Sequence, residues 1–153
     1  IFLTHGDTYK RVAGHGVSAA AIDYLDRHPF AVDRSSIVGR VALERRTIQV
    51  DDVEADPEFK FSEASWLAGV RTILGVPLMR QGRPIGVLAL TRAEVDPFTE
   101  KHVELVESFA DQAVIAIENA RLLNELRERT EEVEKLNQHL KQRVTTKSTK
   151  SNV

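Results

Sequence analysis

The sequence predicts an α+β fold: a central antiparallel sheet covered on both faces, with a last helix that outruns the domain. Three observations carry that reading. Val70 to Met79 and Pro84 to Thr91 are apolar, β-rich runs separated by Arg80-Gln81-Gly82-Arg83, the pattern of a hairpin. Neither run alternates strictly, since Ile73, Leu74 and Val76 point both ways, as do Val87, Leu88, Ala89 and Leu90, so both sheet faces are covered. Finally, no Gly or Pro interrupts the chain between Thr99 and Val153, and apolar residues there recur at helical spacing.

The remaining elements follow in order. Ile1 to Thr4 reads as the end of a strand, His5-Gly6-Asp7 as a turn and Thr8 to His15 as the hairpin partner. Ser18 is suited to cap a helix over Ala19 to Arg27, with Ile22 and Leu25 on one face and Pro29 blocking its continuation. Ser35 or Ser36 caps a second helix, Ile37 to Arg45, and Thr47 to Val50 follows as an alternating strand. From Asp51 to Ala68 no period is visible, yet Phe59, Phe61 and Trp66 fall there, so the segment is expected to pack rather than to hang in solvent. The last helix opens at an N-cap Thr99, with Phe98 and Val103 placed as a hydrophobic staple. Beyond Arg121, Leu122, Leu126, Val133, Leu136 and Leu140 form a heptad seam with Arg129 at one core position. Glu125 with Arg129 and Glu131 with Lys135 are the expected i,i+4 pairs, and residues 145–153, lacking an apolar period, are expected to be disordered. The expected domains are therefore residues 1–121, a coiled-coil helix over 122–144, and a tail.

Composition narrows the function classes. The chain has 153 residues, a formal net charge of −2 and no cysteine. Disulfides, thiolate metal sites, catalytic thiols and thioether-linked chromophores are thereby excluded. The near-neutral charge supplies no general attraction to nucleic acid or an anionic membrane, and neither is an expected partner. No apolar run approaches the ~20 residues of a membrane span, and a cytoplasmic location is expected. Opening on Ile1-Phe2-Leu3, in what reads as mid-strand, suggests a piece of a longer protein. There is no Gly-rich phosphate loop, nucleophile elbow or His-Glu-x-x-His, so no enzymatic activity is expected.

Gly69-Val70-Arg71-Thr72-Ile73-Leu74-Gly75-Val76-Pro77-Leu78, the Gln81-Gly82 turn and Pro84-Ile85-Gly86-Val87-Leu88-Ala89-Leu90 together resemble the central hairpin of GAF domains. Phe98-Thr99-Glu100, and the helix from Phe109 to Leu122, resemble the end of the same domain, and Ile37 to Ala42 and Asp56-Pro57 also fit its style. The resemblance covers residues 1–123 and is nearest to bacterial GAF domains upstream of histidine-kinase or nucleotide-cyclase output domains. It implies a PAS-like sheet with helices on one face and a loop-enclosed small-molecule pocket on the other, with the family's N-terminal helix missing.

The expected pocket lies between the sheet and residues 51–68, with Phe59, Phe61, Trp66, Arg71 and Thr72 as candidate ligand-binding residues. Arg71 suits a ligand anion or a stacked ring; alternatively it pairs with Asp52, Glu54 or Glu58 while the aromatics plug the sheet. Cyclic-nucleotide-binding relatives carry Asn-Lys, then Phe, then Asp-Glu. Here Thr91-Arg92 stands for Asn-Lys, Phe98 matches and Glu100-Lys101 follows, which argues against that ligand and leaves an Arg92–Glu100 ion pair as a brace. His5, His15, His28, His102 and His139 show no metal-ligand spacing, so neither metal nor cofactor is expected. The resulting expectation is a sensor domain that binds an unidentified small molecule, dimerises through its last helix and drives a kinase or cyclase output domain; the alternative is a dimerisation and transmission module without a ligand.

Overall fold

The computed structural model describes residues 1–60 and 63–151, without the side chains of Glu63, Ala64 and Trp66. In chain order its elements are β1 (Phe2–His5), β2 (Thr8–Arg11), α1 (Ala19–Arg27), β3 (Phe30–Ala31), α2 (Ile37–Glu44), β4 (Ile48–Val50), α3 (Glu63–Ala68), β5 (Thr72–Arg80), β6 (Arg83–Arg92) and α4 (Glu100–Ser151). They divide into two compact units, residues 1–114 and 115–153.

In the first unit the six strands form one sheet in the order β3-β2-β1-β6-β5-β4, and each neighbouring pair is antiparallel. The β5–β6 hairpin is its spine, and its turn is tighter than the sequence suggested. Arg80 pairs directly with Arg83, leaving only Gln81 and Gly82, at φ of 50° and 76°, to reverse the chain. Two consecutive positive φ values match the right-handed twist of the strands, and glycine takes one of them without a Cβ penalty. Both faces of the hairpin are buried, as its unbroken apolar runs require. Ile73 and Val87 join a core with Ile37, Val38 and Val41 of α2, while Leu74, Val76 and Leu78 are buried on the other face.

Local chemistry sets the helix ends. Ser18 accepts the Ala21 N–H and Ser36 the Gly39 N–H, so α1 starts at Ala19 and α2 at Ile37. The second helix stops one residue earlier than expected because Arg45 turns left-handed, its N–H donating to the Val41 carbonyl at 2.8 Å. At the start of α4, Thr99 Oγ1 accepts the His102 N–H while His102 Nδ1 accepts the Thr99 N–H. This is a reciprocal cap with histidine in the place usually held by glutamate.

Three expectations change. The strand after the first turn ends at Arg11 rather than His15. Two short elements, β3 and α3, were not anticipated; β3 sets Phe30 edge-on against Phe2, ring centroids 5.3 Å apart. Helix α4 runs through Ser151 where 145–153 was expected to lack structure. There Thr145, Thr146 and Thr149 donate their hydroxyls to carbonyls four residues back, satisfying polar side chains without an apolar face. Asn152 and Val153 lie outside the described residues.

In the second unit, Leu122, Leu126, Val133, Leu136 and Leu140 of the seam are each more than half exposed. Arg129, at the remaining seam position, is exposed as well. Glu125 does not serve Arg129: its carboxylate takes Arg121 at 2.7 Å, and Arg121 also reaches Glu118 at 3.2 Å.

Candidate ligand cavity

A cavity of about 370 Å³ opens in the first unit. Its apolar lining is drawn from far-separated parts of the chain, with Phe2 from β1, Ile37 and Val38 from α2, Ile73 from β5 and Ala89 from β6. Helix α1 closes it through Ala21 and Leu25, one turn apart on a single face, and α3 contributes Ser65 and Ala68. The polar part of the lining comprises Arg11, His15, Ser65, Thr91 and Arg92, and no carboxylate is among the described lining residues.

Both guanidiniums are held by acids. Arg11 grips Asp26 through Nε at 3.0 Å and Nη2 at 3.3 Å. Arg92 uses Nη1 for both the carbonyl and the carboxylate of Asp96, and its guanidinium lies 4.2 Å from the centroid of Phe98, another lining residue. Asp96, four residues along the chain from Arg92, therefore takes the bracing role expected of Glu100. Among the described residues Nε and Nη2 of Arg92 remain as donors, the geometry of a braced cation at an apolar wall.

Three of the residues singled out from sequence, Arg71, Phe59 and Thr72, fall elsewhere. Arg71 pairs with Asp52, Nε at 3.1 Å and Nη2 at 3.0 Å, with Glu54 at 3.6 Å. That pairing raises the Arg71 pKa and lowers that of Asp52, in each case chiefly through their shared hydrogen bonds. Phe59 packs against the core and lies 5.8 Å from the Arg40 guanidinium. Thr72 is fully buried; its hydroxyl donates to the Asp51 carbonyl at 2.6 Å and accepts the Asp96 N–H at 3.0 Å. None of these three lines the cavity. Phe61 and the Trp66 side chain lie outside the described residues. The sequence did hold a pointer to this cavity: Thr91, Arg92 and Phe98, the positions compared with a cyclic-nucleotide motif, all line it.

Thr72 instead ties the loop after β4 to the turn before α4. Thr72→Val removes a donor and an acceptor and strands two backbone groups, with an expected loss of about 2–3 kcal/mol. Equilibrium urea unfolding checks it, with Thr72→Ser as the control that keeps both bonds.

His28 stacks on Tyr24 with ring centroids 4.0 Å apart, and Nδ1 donates to the Tyr24 carbonyl. Among the described residues no cluster of His, Cys, Asp or Glu is arranged to hold a metal ion.

The first unit is thus an α+β domain: a six-stranded antiparallel sheet with α2 and an apolar cavity on the face that carries Ile73, Val87 and Ala89, and with Leu74, Val76 and Leu78 buried on the other. The GAF-domain profile matches residues 1–118, and the chain belongs to that family. It is 27% identical over 112 residues to the formate hydrogenlyase transcriptional activator of Salmonella typhimurium, a match covering 67% of this chain and 16% of that protein. In fold it is similar to a domain of a two-component sensor histidine kinase protein from Sinorhizobium meliloti 1021, with a TM-score of 0.60, 20% identity and coverage of 78% and 76%. It is also similar to free methionine-R-sulfoxide reductase from Neisseria meningitidis in complex with its substrate, with a TM-score of 0.62, 21% identity and coverage of 79% and 66%. The fold thus serves both regulatory proteins and enzymes. Among the described residues no helix is long and apolar enough to cross a membrane.

Proposed function

We propose that this chain is the sensor domain of a cytoplasmic bacterial signal-transduction protein. A small molecule in the cavity biases the packing around the start of α4, and a dimer of that helix passes the bias to an output domain such as a kinase or cyclase. The observation that carries this reading is the cavity, whose volume falls in the range of small-ligand sites. Its apolar lining, two braced arginines and lack of a lining carboxylate favour a small anion with an apolar body. A regulatory role fits better than a catalytic one. The sulfoxide chemistry of the reductase relatives needs cysteine, and this chain has none.

Calorimetry and thermal shift with a panel of small aliphatic and aromatic carboxylates, each beside its uncharged amide, test the ligand half. At least one acid is expected to bind with a dissociation constant of about 1 mM or tighter, about −4 kcal/mol, with its amide much weaker. Ala89→Phe, which fills the cavity from the sheet, should abolish that binding while the domain stays folded. An Ala89→Phe variant that binds as well as the parent, or a panel silent at about 10 mM, defeats the assignment.

A second reading, a dimerisation and transmission module without a ligand, is favoured by the apolar side chains exposed along residues 122–144. Sedimentation of the whole chain and of one truncated at Arg121 tests the dimer; two monomers would exclude it.

A further inference from the structure

The dimer half of that proposal leaves open which face of α4 meets its copy and in which direction. Two heptad frames share Leu126, Val133 and Leu140. One adds Leu122, Arg129, Leu136 and Arg143; the other adds Leu123, Thr130, Asn137 and Val144. Exposure does not separate them, since Leu122, Leu123, Leu136 and Val144 are all solvent-exposed in the single chain. Electrostatics does. The first frame puts Arg129 and Arg143 inside the seam, each against its own copy, and uncompensated like charges in an apolar layer are strongly unfavourable. The second frame buries no charge. Its two polar members have ways to be satisfied: Thr130 already donates its hydroxyl to the Leu126 carbonyl at 2.8 Å, so its methyl is left for the partner.

Flanking charges point to the same frame. There Arg129 occupies a g position and Glu134 the following e position, the pair that meets across a parallel two-stranded coil. Within one chain both are uncommitted: Glu125 is taken by Arg121, and neither Arg129 nor Glu134 makes an ion pair among the described residues. The first frame sets Glu125 against Thr130 and Glu132 against Asn137, with no opposite charges to match.

Asn137 fixes the direction. In a parallel, in-register pair it faces its own copy, and the two amides hydrogen-bond to each other. In an antiparallel pair it faces Leu126, Val133 or Leu140, and a buried amide loses its partner. We infer that residues 122–144 form a parallel, two-stranded coiled coil with a second copy of this chain. The core is Leu123, Leu126, Thr130, Val133, Asn137, Leu140 and Val144, and Arg129 lies beside the seam, bridging to Glu134 of the other copy. Both output domains would then leave from the same end of the coil.

The native chain has no cysteine, so single-cysteine variants report the interface cleanly. Leu123→Cys, Asn137→Cys, Arg129→Cys and Leu136→Cys are made in the whole chain and oxidised under mild conditions, with sedimentation run in parallel. Leu123→Cys and Asn137→Cys are expected to form disulfide-linked dimers about tenfold faster than Arg129→Cys and Leu136→Cys, because only core positions bring two Cβ atoms near disulfide range. Faster linkage at 129 and 136 overturns the frame while leaving the dimer standing. Linkage between Leu123→Cys and Leu140→Cys chains when mixed, with neither linking to itself, overturns the direction. Monomeric chains throughout overturn the dimer on which the inference rests.

Discussion

Asp56→Ala is expected to lower stability by about 3 kcal/mol, the low end of the cost of stranding one partner of a buried ion pair. Arg40 is 4% exposed, yet it stands in the middle of the core helix α2. It is held there by a two-pronged grip on Asp56, Nη1 at 2.7 Å and Nη2 at 2.9 Å, and by Nε donating to the Arg34 carbonyl at 2.6 Å. Asp56 also accepts the backbone N–H groups of Glu58 and Phe59, so one carboxylate anchors the helix and starts the turn after it. Removing it leaves a desolvated guanidinium with one carbonyl. Urea unfolding should show a midpoint lowered by about 1.5 M at ordinary m-values. In an Arg40→Met background the same substitution should cost under about 1 kcal/mol, since no buried charge is left to strand. Equal costs in both backgrounds would show that the bridge is not the source.

The same pair predicts an acid limb. The Arg40 hydrogen bonds hold the Asp56 pKa at about 2, below its ordinary 3.8. A carboxylate depressed on folding contributes stability above its unfolded pKa, and that contribution falls away as pH drops from about 4 towards 2. Parent protein should therefore lose stability across that window more steeply than Asp56→Asn. The amide keeps the turn's acceptor oxygen but has no proton to take up.

The legible parts of the fold were those whose signal is local. The β5–β6 hairpin shows in its runs of Val, Ile and Leu, and α1 in a serine cap followed by nine residues with a proline beyond. A two-residue strand such as β3 has no period to read, and six-residue α3 sits among aromatics and acids that mask it. The cavity was hardest because it has no sequence neighbourhood. Phe2, Leu25, Ile37 and Ala89 meet only when β1 pairs with β6 and α1 and α2 close over them. Aromatics clustered at 59–66 drew attention to Arg71, but its nearest acid, Asp52, takes that guanidinium. Its counterpart at the cavity, Arg92, was legible only as a brace, and there the structure keeps the role and changes the partner to Asp96.

Gly39→Ala is expected to destabilise by about 3 kcal/mol, the upper range for forcing atoms into a filled core. Intrinsic propensity points the opposite way, because alanine in a helix interior normally gains about 1 kcal/mol over glycine. The sign reverses because α2 lies directly on the chain that leaves β3. A Cβ on Gly39 would stand 2.4 Å from the Asp33 carbonyl oxygen, 2.6 Å from that of Ala31 and 2.9 Å from the Asp33 nitrogen. All three are backbone atoms, so no rotamer change relieves the contact. Either α2 lifts from Ile73 and Val87, or residues 31–33 move and carry Phe30 away from Phe2 at the cavity wall. The melting temperature should fall by about 10 °C at the usual entropy of a domain this size. Gly14→Ala is the control, since its Cβ would meet nothing nearer than 3.9 Å and should change the melting temperature little. If Gly39→Ala melts with the parent, the close approach of α2 to residues 31–33 is wrong, and with it the placement of Phe30 beside the cavity.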